Sequence, residues 1–173
     1  DSYHIYQVSI TLIEASDRLL PPLPEAVSRR ARADLEAMGV QVLTQSTVRE
    51  VSEESLTLSD GRILPATMCI WAAGIKASPV LSLLDGLETN RLNQLVVGAT
   101  LQTSHDPNIF AMGDCASLIP DGDTRALPPR AQVANQQGIY LSKALRDYIQ
   151  NKPLNAFHFL DRGSLVSLSH HST

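Results

Sequence analysis

A glycine and an aspartate follow a short apolar run in the segment 108–116, which reads Asn-Ile-Phe-Ala-Met-Gly-Asp-Cys-Ala. The apolar residues predict a buried strand over 108–113, and Gly113 has no Cβ to keep the backbone away from a ligand. The Asp114 carboxylate could accept hydrogen bonds from sugar or ribityl hydroxyl groups, and the small Ala116 leaves room beside it. Open α/β sheets bind nucleotides beyond the carboxyl ends of their strands, so this is a candidate nucleotide site. An ordinary Gly-Asp turn is the alternative.

Glu14 stands at the end of another predicted strand, over residues 8–14. A carboxylate in this position can bind both hydroxyl groups of an adenosine ribose while it repels a 2′-phosphate. An exposed acid that caps a turn is the alternative interpretation. Arg18 lies close by in the sequence and could instead attract such a phosphate.

The segment 67–75, Thr-Met-Cys-Ile-Trp-Ala-Ala-Gly-Ile, predicts a further buried strand. Its end carries only the small residues Ala73 and Gly74, so backbone contacts rather than side-chain chemistry are expected there. Small residues at a strand end can also serve only the packing of a helix, which is the alternative.

A helix is predicted to begin after Pro128 and Pro129, because prolines suit the first turn, where amides have no partner within the helix. The free amides and the helix dipole at this end favour negative charge, such as the edge of a reduced flavin develops. Ala131 and Gln132 open the helix, and Gln136 lies one turn further on the same face. A solvated, glutamine-rich helix is the alternative.

Strands and helices alternate along the chain, which predicts the α/β class. A helix is predicted over 25–38, and a hairpin turn at 59–62 joins two of four short strands. A linker with a short helix follows, and the helix after the two prolines is predicted to continue to about residue 150. The remaining predicted strands are 40–43, 47–51, 55–58, 63–67, 92–97 and 101–103, with a strand region over 157–169.

Composition excludes several classes of function. The chain has 173 residues, 43% of them hydrophobic, and a net charge of −4, so it offers no basic stripe for nucleic acid. The longest apolar run is far shorter than the ~20 residues that span a bilayer. Cys69 and Cys115 lie in predicted strands without metal-ligand spacing, so they are expected to be buried free thiols rather than metal or redox-disulfide residues.

The strings at 67–75, 108–116 and 131–138 together resemble the flavoproteins that have two dinucleotide-binding domains. The resemblance is nearest to type II NADH dehydrogenases, the single-subunit NADH:quinone oxidoreductases. The string Ala-Gln-x-Ala-x-Gln-Gln-Gly and the ending Leu-Asp-Arg-Gly-Ser at 160–164 look like this quinone-reducing branch.

The resemblance implies an α/β, Rossmann-like flavoprotein that is present only in part. Residues 1–77 would be the C-terminal part of the NADH-binding domain. Residues 78–152 would be the returning part of the FAD-binding domain, and residues 153–173 the start of the C-terminal region. No Gly-x-Gly-x-x-Gly occurs in the sequence, although this fingerprint stands about 20 residues before the ribose-binding acid in such domains. We therefore expect an internal fragment that is inactive alone.

The implied function is the transfer of electrons from NAD(H) through FAD to a quinone, without a catalytic side-chain acid or base, because the cofactor carries the chemistry. The implied cofactor-binding residues are Glu14, Ala73, Gly74, Gly113, Asp114, Ala116 and Ala131. Ala131, Gln132 and Gln136 would line the quinone tunnel.

The resemblance also implies an enzyme on the cytoplasmic face of the bacterial inner membrane, attached through parts of the protein that this sequence lacks, and it leaves a homodimer open. One rival is a sulfide:quinone or other pyridine-nucleotide-linked reductase on the same scaffold. The other is a catalytically silent nucleotide-binding module.

Overall fold

The computed structural model describes residues 8–164 and 166–168, which divide into two compact units. The first unit contains residues 8–71 with 164 and 166–168, and the second contains Ala72–Gly163. Both units mix helix and strand, which confirms the predicted α/β class.

A parallel strand pair with one crossover helix forms the start of the first unit. Strand β1 (Thr11–Ile13) pairs with β2 (Gln41–Leu43), and helix α1 (Glu25–Ala37) connects them. The helix follows Pro24 and is succeeded by Gly39, whose φ of +85° suits glycine at a helix end. It buries Ser28 and Ala31, whereas Val27 is exposed.

A three-stranded antiparallel meander completes the first unit. Its strands are β3 (Val48–Val51), β4 (Ser55–Leu58) and β5 (Ile63–Pro65), and Leu58 is buried. The predicted hairpin at 59–62 is confirmed. The backbone N–H and the guanidinium of Arg62 both donate to the Asp60 carboxylate. These bonds, first the one from the backbone, hold the pKa of Asp60 below its usual value.

The second unit is built on a parallel strand pair and one long helix. Strand β6 (Leu95–Val97) pairs with β7 (Ala116–Leu118), and helix α2 covers Ala131–Ile149, as predicted within one residue. A 3₁₀ helix at Pro79–Leu83 matches the short helix of the predicted linker, and a 3₁₀ turn at Gly113–Cys115 precedes β7. The buried core combines both strands, α2 and its neighbouring loops: Leu95, Val97, Leu101, Ala111, Ala116, Leu118, Leu141, Ala144 and Phe157.

Four strand predictions were wrong in the part of the chain that the structure describes. Residues 101–103 form only isolated bridges, from Gln102 to Phe110 and from Thr103 to Val97. Residues 67–75 form no strand, and Met68 and Ile70 are 79% and 83% exposed. A strand requires a hydrogen-bonded neighbour, and no described strand pairs with this segment. The 108–113 segment makes a single bridge between Phe110 and Gln102, and the described residues of the 157–169 region form no strand.

The exposure of the cysteines also differs from the prediction of buried thiols. Cys69 is exposed, and Cys115 is half-buried in the turn that precedes β7. Neither residue lies in a strand. Within the described ranges no group of His, Cys, Asp or Glu could hold a metal ion, and no helix has the length and apolar character for crossing a membrane.

Candidate functional site

Glu14 lies directly after β1 and is half-buried. Its backbone is fixed from both sides, because its N–H donates to the Leu43 carbonyl at 2.8 Å and its carbonyl accepts from the Ser46 N–H at 3.0 Å. Its carboxylate Oε1 accepts from the Ser16 N–H at 2.7 Å. Glu14 therefore caps a turn with one oxygen, and Oε2 makes no hydrogen bond to another described residue of the chain.

A cleft of about 430 Å³ lies beside the turn after β1 in the same unit, and three of its lining residues are arginines. The Arg18 guanidinium donates to the carbonyls of Pro21 and Leu23 at 2.5 and 2.9 Å. Arg29 pairs with Glu25 at 2.6 Å, and Arg32 pairs with Glu36 at 2.8 Å. Each guanidinium is thus already engaged within the protein.

The Gly113–Cys115 turn places Asp114 at the start of β7. Gly113 has a φ of +68°, a left-handed conformation that favours glycine, and a Cβ at Gly113 would lie 3.5 Å from Ala134 Cβ of α2. The turn thus packs against the first turns of the helix. Asp114 is exposed, and its carboxylate accepts no hydrogen bond from the described residues. Ala116, by contrast, is buried in β7, so its side chain contributes to the core.

Two buried glutamines that the sequence analysis missed hold the ends of the Gly113–Asp114 dipeptide. The Gly113 N–H donates to Gln137 Oε1 at 2.6 Å, and Gln94 Nε2 donates to the Asp114 carbonyl at 3.0 Å. Gln137 directly follows Gln136 in the segment 131–138, Ala-Gln-x-Ala-x-Gln-Gln-Gly. Helical periodicity from the buried Val133 and Leu141 could have identified it as inward-facing.

The N-terminus of α2 has no side-chain cap: Arg130 is the N-cap residue and makes no capping hydrogen bond. Ala131 is exposed. Because the first amides of a helix have no partners within it, they remain donors for an anionic or electron-rich ligand. The same helix end carries the candidate quinone residues.

Gln132 and Gln136 hold the loop segment 160–163, which we call the strap. Gln132 Oε1 accepts from the Arg162 N–H at 2.9 Å, and Gln132 Nε2 donates to the Gly163 carbonyl at 3.4 Å. Gln136 pairs with Leu160 in both directions, at 2.9 and 3.0 Å. The two side-chain amides therefore fix the backbone of the strap with four hydrogen bonds.

Tyr140 continues this attachment one turn further along α2. Its hydroxyl donates to the Asn155 carbonyl at 2.6 Å, and its ring meets Phe157 edge to face at 5.6 Å. Burial raises the pKa of the Tyr140 phenol further above neutral pH. The segment before the strap is thus held to the same helix.

Ala73 and Gly74 are exposed. Gly74 has a φ of +82°, and a Cβ added there would meet nothing within 4 Å. The backbone at this position is open, as the expectation of backbone contacts requires. The expected contacts themselves stay a prediction.

The sequence of this chain matches a known protein family. The model of the pyridine nucleotide-disulphide oxidoreductase family matches residues 2–138. The chain belongs to that family.

Two curated relatives of this chain are named type II NADH:quinone oxidoreductases. The protein of Haemophilus influenzae is 45% identical over 94% of this chain, and that of Staphylococcus saprophyticus is 30% identical over 95%. The chain spans 36% and 41% of the lengths of these two relatives.

Solved structures show the same fold. NDH2 of Plasmodium falciparum, in complex with NADH, has a TM-score of 0.81 and 20% identity over 95% of this chain and 49% of its own. The sulfide:quinone oxidoreductase of Aquifex aeolicus has a TM-score of 0.70 and 16% identity over 86% of this chain and 37% of its own.

The paired glutamines predict that strap docking depends on Gln136. Gln136→Leu removes two hydrogen bonds of about 1 kcal/mol each, so the strap should open roughly 5–30-fold more often. Limited digestion with trypsin, followed by mass spectrometry of the product that ends at Arg162, should show faster cleavage by a similar factor. The exposed Asn135 of the same helix, changed to Ala, is the control. Equal cleavage of the Gln136→Leu protein and its parent would contradict this attachment.

Proposed function

We propose that this chain is part of a flavoenzyme that passes electrons from NADH through FAD to a quinone. The observation that carries the proposal is the Gly113–Asp114 turn, which lies against the uncapped end of α2 and presents a carboxylate without a partner among the described residues. The curated relatives, which are named as NADH:quinone oxidoreductases, support the same reaction.

The second unit supplies the flavin residues in this proposal. Asp114 accepts hydrogen bonds from ribityl hydroxyl groups of FAD, and Gly113 allows the close approach of the backbone. The first amides of α2, at Ala131, face the electron-rich edge of the flavin ring. FAD, when bound, supplies the redox chemistry by accepting a hydride and giving up two electrons. Ala116 acts through its backbone, because its side chain is buried.

The first unit supplies the contact that selects NADH. Glu14 binds the adenosine ribose through the oxygen that the Ser16 amide leaves unused. Arg18 donates to carbonyls of its own turn, which hold its guanidinium within that turn. Ala73 and Gly74, which belong to the second unit, would bind a nucleotide through their backbone groups.

The start of α2 and the strap supply the quinone contacts. Ala131 lines the tunnel directly. Gln132 and Gln136 border it while they hold the backbone of the strap. We further propose the domain bounds 1–77 for the NADH part, 78–152 for the FAD part and 153–173 for the start of the C-terminal region.

The proposed location is the cytoplasmic face of the bacterial inner membrane. The enzyme would be peripheral there, with its attachment in parts outside this sequence and with a homodimer as its assembly to be tested. No nucleic-acid partner is proposed, since the net charge is −4.

A sulfide:quinone reductase is the second candidate, because Cys69 is exposed and Cys115 adjoins Asp114. The Cys115 thiol donates to the Met112 carbonyl at 3.1 Å, which engages it locally. If the full-length protein oxidised sulfide, and a Cys69→Ala, Cys115→Ala double variant lost this activity, the second candidate would replace the first.

The two half-reactions test the main proposal in the full-length protein, which should be yellow and show a flavin absorption band. Gln132→Phe should leave flavin reduction by NADH unchanged in anaerobic stopped-flow measurements and slow reoxidation by added ubiquinone-1 about 100-fold, because a displacement of about 1 Å can cost that factor. Asn135→Phe adds the same bulk on an exposed face of α2 and should change neither rate. Slower reduction with normal reoxidation would remove Gln132 from the quinone tunnel.

Glu14→Gln should narrow the preference for NADH over NADPH, because the variant no longer repels a 2′-phosphate and loses a charge-assisted hydrogen bond. Such a bond contributes about 1.5–3 kcal/mol, so the ratio of the two kcat/KM values should fall roughly tenfold or more. Glu50→Gln makes the same change of charge on exposed β3 of this unit and is the control. An unchanged ratio would leave Glu14 with its turn-capping role alone.

A further inference from the structure

Two of the buried polar residues in the second unit are glutamines. Gln137 is 2% exposed and Gln94 is 4% exposed. A buried amide is costly unless it is hydrogen-bonded, so such side chains persist where their bonds hold something in place. Both of these amides bond to the same dipeptide, Gly113–Asp114.

The two bonds hold the dipeptide at its first and last polar backbone groups. Gln137 accepts from the Gly113 N–H at 2.6 Å, and Gln94 donates to the Asp114 carbonyl at 3.0 Å. The Gln94 amide is itself oriented, because its Oε1 accepts from Asn90 Nδ2 at 2.9 Å. Asn90 Oδ1 in turn accepts from the backbone N–H groups of Leu92 and Gln94, at 2.9 and 3.0 Å.

The Asp114 carboxylate has no such support. It accepts no hydrogen bond within the described ranges, so its placement is constrained only through the Cα and Cβ that the backbone positions. Fixing this backbone before a ligand arrives reduces the ordering cost of binding.

We propose that Gln137 and Gln94 are positioning residues for the flavin: they clamp the Gly113–Asp114 backbone and thereby aim the Asp114 carboxylate at the ribityl chain. This inference rests on the proposed function, since it assumes that Asp114 binds FAD. Both act through the placement of Asp114: Gln137 accepts from the Gly113 N–H, and Gln94 donates to the Asp114 carbonyl.

The test uses the full-length protein and FAD itself. Gln137→Met keeps the side-chain size and removes the acceptor for the Gly113 N–H. The dissociation constant for FAD should rise about tenfold, and in the apoprotein the peptide covering residues 110–117 should exchange its amide hydrogens faster. Asn135→Ala, on the exposed face of the same helix, should change neither value.

A double-mutant cycle separates positioning from a general loss of stability. If Gln137 acts through Asp114, Gln137→Met should weaken FAD binding little further once Asp114→Ala is present. Two effects that add in full, or normal FAD affinity in the Gln137→Met protein, would overturn the inference while the site stands. Normal FAD affinity in the Asp114→Ala protein would instead overturn the proposed site.

Gln94→Met provides a second route if the Gln137→Met protein does not fold. It releases the Asp114 carbonyl and should also raise the FAD dissociation constant about tenfold, again with little further loss in the Asp114→Ala background. Full additivity here would count equally against the clamp.

Discussion

The hydrogen bond from the Gly113 amide to Gln137 joins the candidate ligand turn to the one long helix of its unit. It requires the turn to lie close to α2, and small residues make this approach feasible. A Cβ at Gly138 would come within 3.3 Å of Met112 Cε, and Ala134 faces Gly113 itself. Because a buried amide without a partner is costly, a helix that moved away would leave Gln137 unsatisfied. The start of β7 therefore depends on the seating of α2.

Helix α2 also determines where the strap lies, and it does so with a different face. Gln132 and Gln136 are one turn apart and share a face, whereas Gln137 is rotated from Gln136 by about 100°. Three glutamines of one helix thus serve two neighbours: two bond to the strap, and one bonds to the turn. In the proposed enzyme, the same rigid element would align the flavin contact and the quinone contact. The helix alone would then set the position of the flavin contact relative to the quinone contact.

Local signals predicted the local elements well. The hairpin at 59–62 carries its own turn residues, and both helices begin near prolines, so neither depends on distant partners. The wrong or missing predictions concern the pairing of strands and the direction in which a side chain points. The run at 67–75 has strand composition, but no described strand pairs with it. Gln137 was missed because a glutamine is polar, although its spacing of four residues from Val133 and from Leu141 places it on the buried face of the helix.

The two interpretations of Glu14 stop competing once its two carboxylate oxygens are considered separately. The Ser16 N–H donates to one oxygen, which orients the carboxylate, and the other oxygen stays available. A turn-capping bond of this kind is therefore a support for ligand binding rather than evidence against it. The same reasoning applies to Gln132, whose amide holds the strap and for that reason stands at a fixed place on α2. In both positions, an internal hydrogen bond gives the side chain the defined geometry that a binding site needs.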